Sequence, residues 1–219
     1  SYVIQMTGAD DVTLDHLHVT GGYYGIYASS TADSDRLTVS DSAVFGNSNT
    51  GIYLQTTNDT AVLSNNELYG QPYGIYLEYG ADAVVTGNRV HDHTYYGIYL
   101  SQTARGEVSE NEAYGNDTGI YVSLSGPSWS DRVEVVSNRV HGNSTRGIYA
   151  YGSAMVSENA VYGHTGSGDE GIYLYGATAS GNEVYDNYCG IETYAYASST
   201  LAGNRVFHNS AEGILASGY

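Results

Sequence analysis

The chain has 219 residues, with 24 Asp and Glu against seven Arg and no Lys, giving a formal net charge of −17. Such a surface repels nucleic acid, anionic membranes and polyanionic substrates, and its acids are too dispersed for a disordered tail. The lone Cys189 excludes an internal disulfide framework, no apolar run approaches the roughly 18 residues of a membrane-inserted span, and the first residues, SYVIQ, lack the basic and apolar segments of a secretory leader.

The chain opens on a β-type run, YVIQ at 2–5, and then places Leu14 and Val19 in DVTLDHLHVT. The next segment, GGYYGIYA, contains the first of nine Gly-Ile pairs, which begin at Gly25, Gly51, Gly74, Gly97, Gly119, Gly147, Gly171, Gly190 and Gly213. Four of them extend to GIYL. Successive pairs are 19 to 28 residues apart, about 23 as a rule, and self-similarity at such a period marks a solenoid.

Aligned on the Gly, every coil reads alike. Ile26, Ile52, Ile75, Ile98, Ile120, Ile148, Ile172, Ile191 and Ile214 follow it, and mostly aliphatic residues from Ala28 to Ala216 stand two further on. A second strand later in each coil, as in VLSNNELYG and VVTGNRVHD, supplies two more apolar columns, Leu14 to Leu201 and Val19 to Val206. Short β-branched segments at period two, bounded by Gly, Asn and Asp, are strands. One coil cannot bury its own apolar face, but stacked coils share a core. Nine to ten coils at roughly 4.8 Å make a rod of roughly 45 Å. Within GIYL the expected roles are Gly at the corner, Ile and Leu inside, and Tyr outside.

Asn66, Asn88, Asn111, Asn138, Asn159, Asn182 and Asn204 form a polar column. Asn tolerates left-handed backbone and its amides can bond from coil to coil, so a structural ladder at a tight turn is expected. A second polar column, Asn47, Gln71, His93, Asn116, Asn143, His164, Asn187 and Asn209, stands five residues on. The position after the Asn carries Glu67, Arg89, Glu112, Arg139, Glu183 and Arg205, so opposite charges fall on neighbouring coils.

Through GIYL and N-x-V-x-x-N, the whole chain resembles the broad family of right-handed parallel β-helix repeats, the pectin-lyase-like and periplasmic copper-protein-type β-helices. The resemblance implies an all-β fold, a single-domain right-handed parallel β-helix over 1–219, alone or as a fragment or protomer of a longer solenoid. It implies no one activity, since the family includes lyases, hydrolases, epimerases, adhesins and passive scaffolds.

Outward positions are where chemistry would lie. Tyr27, Tyr53, Tyr76, Tyr99, Tyr121, Tyr149 and Tyr173 read as a flat aromatic strip able to stack on sugar rings or a neighbouring subunit, with Trp129 walling a groove beside it. A second outward column runs Phe45, Tyr69, His91, Tyr114, His141, Tyr162, Tyr185 and Phe207. Asp33, Asp35, Asp59, Asp82 and Asp131 fall on the loop edge, where Ca²⁺ is the cation they would take, although no fixed ligand loop recurs. The motifs DHLH at 15–18 and HDH at 91–93 carry donor side chains, yet His91 and His141 would sit roughly 10 Å apart, too far to share a metal. No resident metal or cofactor and no catalytic residue is assigned. The polygalacturonase pattern and the Asp-Pro-His-Glu run of alginate epimerases are both missing. Three Asn-x-Thr sequons start at Asn58, Asn116 and Asn143.

The leading expectation is a non-catalytic extracellular or cell-surface solenoid, structural or adhesive, contacting carbohydrate or other subunits through the Tyr ladder. End strands left open would allow head-to-tail stacking into filaments. The alternative is a polysaccharide-active lyase, C5-epimerase or glycoside hydrolase working on the same face.

Overall fold

The computed structural model describes residues 1–31, 33–55, 60–79, 82–102, 106–124, 132–194 and 196–218. All of its regular elements are short parallel strands in three sheets, with ten strands in the first and nine in each of the others. Sheet A holds the Gly-Ile strands, from Tyr2–Met6 through Tyr73–Glu78 to Ile214–Ser217. Sheet B holds strands such as Ala83–Thr86, and sheet C strands such as Arg89–His91. The chain visits A, B and C in turn, and every strand pairs with its counterparts one coil away.

Like stacks on like. Ile75 pairs with Ile52 and Ile98, and Tyr76 with Tyr53 and Tyr99. A one-residue slip would turn each apolar column outward, so burial fixes the register. Ile26, Ile52, Ile75, Ile98, Ile120, Ile148, Ile172 and Ile191 are wholly buried. Each contributes about 1.5–3 kcal/mol relative to exposure.

The later part of each coil is two strands in two sheets, bent at the Asn column. The left-handed residue at that bend is the one before the ladder Asn: Asn65 at φ 55°, Glu110 at 57°, Ser137 at 57° and Glu158 at 58°. The ladder Asn itself points inward. Asn66 donates from its backbone N at 2.9 Å and from Nδ2 at 3.0 Å to Asn88 Oδ1, and from Nδ2 to Val39 O at 2.9 Å. The same set repeats from Asn88 to Asn204. Ser42 starts the ladder one coil earlier, its backbone N donating to Asn66 Oδ1 at 3.0 Å.

The Gly of Gly-Ile does not turn a corner, contrary to the expected role. Its φ is not left-handed in any coil. It faces an interior with no space: a Cβ on Gly97 would lie 2.7 Å from Gly119 O and 2.9 Å from Asn116 Nδ2. Sheets A and C converge there, and the second polar column fills the wedge between them.

Candidate functional site

Sheet A turns its tyrosine column outward. Tyr27, Tyr53, Tyr76, Tyr99, Tyr121, Tyr149 and Tyr173 stand in register on seven successive strands, and Glu192 follows. The rings are half-buried, and Tyr53 is only 9% exposed. Strands roughly 4.8 Å apart leave no room for phenol rings to lie flat side by side. The rings stack on one another along the solenoid instead, an arrangement their quadrupoles favour when offset. Centroids are 4.7 Å apart for Tyr53–Tyr76, 4.5 Å for Tyr76–Tyr99, 4.3 Å for Tyr121–Tyr149 and 5.3 Å for Tyr149–Tyr173, with planes within 17°. The stack breaks at Tyr27–Tyr53, tilted by 46°, and at Tyr99–Tyr121, turned by 86°. Ring edges and hydroxyls therefore make up most of the outer surface, in place of the flat strip of ring faces expected.

The ladder widens on opposite sides at its two ends. Tyr24, Tyr73 and Tyr96 precede the Gly in early coils, whereas Tyr151, Tyr175 and Tyr194 stand two residues past the ladder position in late ones. In the early coils, hydroxyls are joined through Gln55 and Glu78. Tyr27 Oη donates to Gln55 Oε1 at 2.9 Å. Gln55 Nε2 donates to Tyr53 Oη at 2.8 Å and Glu78 Oε2 at 3.0 Å. Tyr53 Oη donates to Glu78 Oε2, and Tyr76 Oη to Glu78 Oε1 at 3.2 Å. Burial first, and then the Glu78 carboxylate, push the Tyr53 phenol far above its usual range. Burial raises Tyr76 and Tyr121 as well. These phenols are hydrogen-bond donors at neutral pH rather than phenolate bases.

Arg146 and Glu170 face each other on the same side. Arg146 Nε lies 2.8 Å from Glu170 Oε2, an ion pair whose approach is too bent for an aligned hydrogen bond. Burial raises the Glu170 carboxyl and Arg146 opposes that shift. The guanidinium also lies 5.0 Å from the Tyr173 ring centroid. The coil alignment places Arg146 and Glu170 in register on adjacent strands, so the pair is readable in the sequence.

Where sheet A bends into sheet B, a groove of about 660 Å³ is lined by Leu124, Arg132, Tyr151, Met155, Tyr175 and Thr178 among others. Trp129, expected at this edge, lies outside the described residues, as do Asp59, Asp131 and Asn58. Among the described residues, three candidate ligand atoms converge at Asp15, His16 and Asp41, at an exposed corner away from that edge. Cys189 is buried and its thiol is pushed up to about 12 by burial first, which leaves it a poor nucleophile.

The backbone bends at Asp92, φ 57°, so His91 and His93 part. His91 joins the outward stack of sheet C, 5.3 Å from Tyr69 and 4.8 Å from Tyr114. His93 is buried in the second polar column. Asn116 and Asn143, the Asn of two sequons, are buried in the same column, Asn116 Nδ2 donating to Asn143 Oδ1 at 3.0 Å. Neither is presented as a glycosylation acceptor in the folded chain. The charged column of sheet C forms lateral pairs, such as Arg89–Glu67 at 3.1 Å and Arg205–Glu183 at 2.8 Å. Their exposure limits each to about 0.2–1 kcal/mol.

A family described as "right handed beta helix region" matches residues 2–162 and 128–219. The chain belongs to that family. No curated protein matches it in sequence. Among solved structures, this β-helix is similar to the periplasmic alginate epimerase AlgG, with a TM-score of 0.74 at 18% identity over 86% of this chain and 48% of that one. It is also similar to the Dettilon tailspike protein gp208, with a TM-score of 0.73 at 18% identity over 99% of this chain and 55% of that one. A third likeness is the mannuronan C-5 epimerase AlgE4 A-module of Azotobacter vinelandii, with a TM-score of 0.62 at 17% identity over 96% of this chain and 64% of that one. The β-helix spans about half the length of the first two, and at these identities the likeness shows the fold alone.

Proposed function

We propose that this β-helix is a glycan-contacting solenoid, structural or adhesive, that holds a polysaccharide chain along the tyrosines of sheet A without transforming it. The observation that carries the reading is the register-locked line of phenol hydroxyls and ring edges on one side of the rod. It repeats at the coil spacing and so suits a polymer rather than a single small molecule. Solved structures with this fold include two alginate-related epimerases and a tailspike, which supports a polysaccharide partner and a place outside the cytoplasm, extracellular or at the cell surface. Head-to-tail association of such rods, strand edge on strand edge, is part of the proposal.

One cluster favours the second reading, a lyase, C5-epimerase or glycoside hydrolase. Glu78 is a carboxylate held between two phenols, Tyr53 and Tyr76, an acid–base set of the kind such chemistry uses. Against it, abstraction of a proton beside a carboxylate needs that carboxylate neutralised, and Arg146 on this face already pairs with Glu170. The test is co-sedimentation of the purified chain with a panel of insoluble and soluble polysaccharides, followed by assay of the bound polymer for new reducing ends, unsaturated termini and C5 inversion. Retention without any product is expected. Turnover would replace the proposal with the enzyme reading, and retention by none would end the glycan reading.

A further inference from the structure

Tyr151 begins a stack. Its neighbour one coil on is Tyr175, with centroids 4.8 Å apart and planes at 23°, and Tyr194 follows at 5.8 Å. One coil back, the register pairs Tyr151 with Ser123. Among the described residues no aromatic ring covers that side of Tyr151. Most ladder tyrosines have a ring against each face, so Tyr151 is unlike them in offering one to a ligand.

The groove of about 660 Å³ opens beside this ring, within the roughly 300–1,000 Å³ usual for small-ligand sites. Leu124 and Met155 give it an apolar side, and Thr178 and Ser198 place hydroxyls on its lining. An apolar wall, an aromatic ring and a few hydroxyls match the two characters of a pyranose, C–H faces and an equator of O–H groups.

The surrounding charge narrows the class. Arg132, the charged residue of the groove's described lining, also lines a second groove of about 320 Å³ beside Asp82, Glu107 and Glu134, three carboxylates against its one positive charge. Glu107 and Glu134 are direct register partners on adjacent strands, so like charges already crowd there. Across sheet A, Arg146 is held by Glu170, with Glu78 and Glu192 on the same face. A uronate would enter this field against a formal net charge of −17.

We propose that the groove is a subsite for an uncharged sugar ring of a polysaccharide, seated on the free side of Tyr151. The inference rests on the reading of sheet A as the glycan-holding face. It sets this chain apart from the alginate-related proteins whose fold it shares.

The test is calorimetric titration of the full chain with cellohexaose, mannohexaose, laminarihexaose and chitohexaose, and with the hexamer of mannuronate, at low salt. At least one uncharged hexaose is expected to bind, and the mannuronate hexamer about tenfold more weakly or not at all. Tyr151→Ser should weaken the uncharged ligand roughly five- to tenfold. Ser198→Trp, which fills the groove from a position outside the Tyr151–Tyr175–Tyr194 stack, should do the same and keeps the test open if Tyr151→Ser fails to fold. Tyr69→Ser, on sheet C, should leave binding unaltered, although it removes a stacked ring. Equal or tighter binding of mannuronate overturns the uncharged class. Unaltered affinity in both groove variants overturns the subsite, and if Tyr99→Phe still weakens binding the Tyr face survives alone. Binding of none of the five ligands sinks the subsite and the Tyr face together.

Discussion

His164 Nδ1 lies 2.7 Å from Asn187 Oδ1 inside the solenoid, at a level where neighbouring coils use Asn. Asn143 Nδ2 donates to the other ring nitrogen at 3.1 Å. The ring is therefore neutral, with its proton on Nδ1. Burial pushes it down to about 4. Because the folded value is below the unfolded one of about 6.5, the stability it confers is complete above that pH and is lost as pH falls towards 4. A shift of that size is worth about 3 kcal/mol. His164→Asn should flatten the acid limb of urea midpoint against pH while leaving neutral stability nearly unchanged. An identical acid limb would move the cause elsewhere. His93 is also lowered to about 4, but the Gln71 and Leu68 carbonyls, 2.8 and 3.1 Å from its nitrogens, oppose burial. The net shift matches that of His164, so His93→Asn should flatten the limb to a similar degree.

Two glycine classes should separate by cost. Gly97→Ala places a methyl against Gly119 O and Asn116 Nδ2 in a closed interior, for a loss of about 1–3 kcal/mol or more. Gly142 has φ +58° with nothing within 4 Å of a Cβ, so Gly142→Ala should cost only the left-handed penalty, about 1–2 kcal/mol. Gly142→Asn should cost less still, as Asp92 and Asp186 already occupy that bend. Chemical denaturation of the three variants decides it, and equal losses would refute the distinction.

The ladder should be strongest at its middle. Asn111→Ala strips partners from Asn88, Asn138 and Val85 O, all buried, and should cost more than about 3 kcal/mol. Asn204 is only partly buried, so Asn204→Ala should cost about 1–2 kcal/mol. Unfolding midpoints that rank the other way would count against the ladder as a main support.

The fold was legible because each coil repeats one burial problem, so nine copies of Gly-Ile and seven of the ladder Asn give the period and the apolar columns directly. What stayed hidden is local geometry that residue type does not carry. Left-handed backbone sits on residues as different as Asn65, Glu110 and Ser137, one place before the Asn that draws the eye. The interior closeness that demands Gly97 arises from Asn116 and Gly119 in other strands. The outward Tyr column was plain from period-two alternation. That its rings face each other, and that Ser123 rather than a ring pairs with Tyr151 one coil back, depends on strand spacing and cross-coil register.

Arg146→Met should cost about 3 kcal/mol at pH 8, because it leaves the buried Glu170 carboxylate without its partner. Glu170 has a raised folded value, so its fold-stabilising form is the protonated one, present at low pH and lost as pH rises through that value. The variant's deficit should therefore shrink on acidification, measured by urea unfolding at pH 8 and 5 with His164→Asn as the common background. Adding Glu170→Gln should recover most of the loss at pH 8. A deficit that is the same at both pH values would mean that Arg146 acts by packing on Tyr173 rather than by charge.

The stacked geometry of sheet A changes what a tyrosine substitution reports. Ring removal takes away a half-buried stack, so serine at Tyr99 or Tyr121 should lower both stability and any glycan affinity, and cannot tell contact from support. Removing hydroxyls alone can. Tyr99→Phe, Tyr149→Phe and Tyr173→Phe keep every ring in register, so thermal midpoints should hold within the small range of surface changes. If phenol hydroxyls are the surface a polysaccharide meets, each change should weaken binding by about 0.5–1.5 kcal/mol, up to tenfold in Kd. Matched phenylalanines on sheet C, at Tyr114 and Tyr185, should leave binding untouched. Retained affinity in the sheet A set would mean that the hydroxyl line is packing, and that contact with glycan, if any, lies at the groove beside Tyr151.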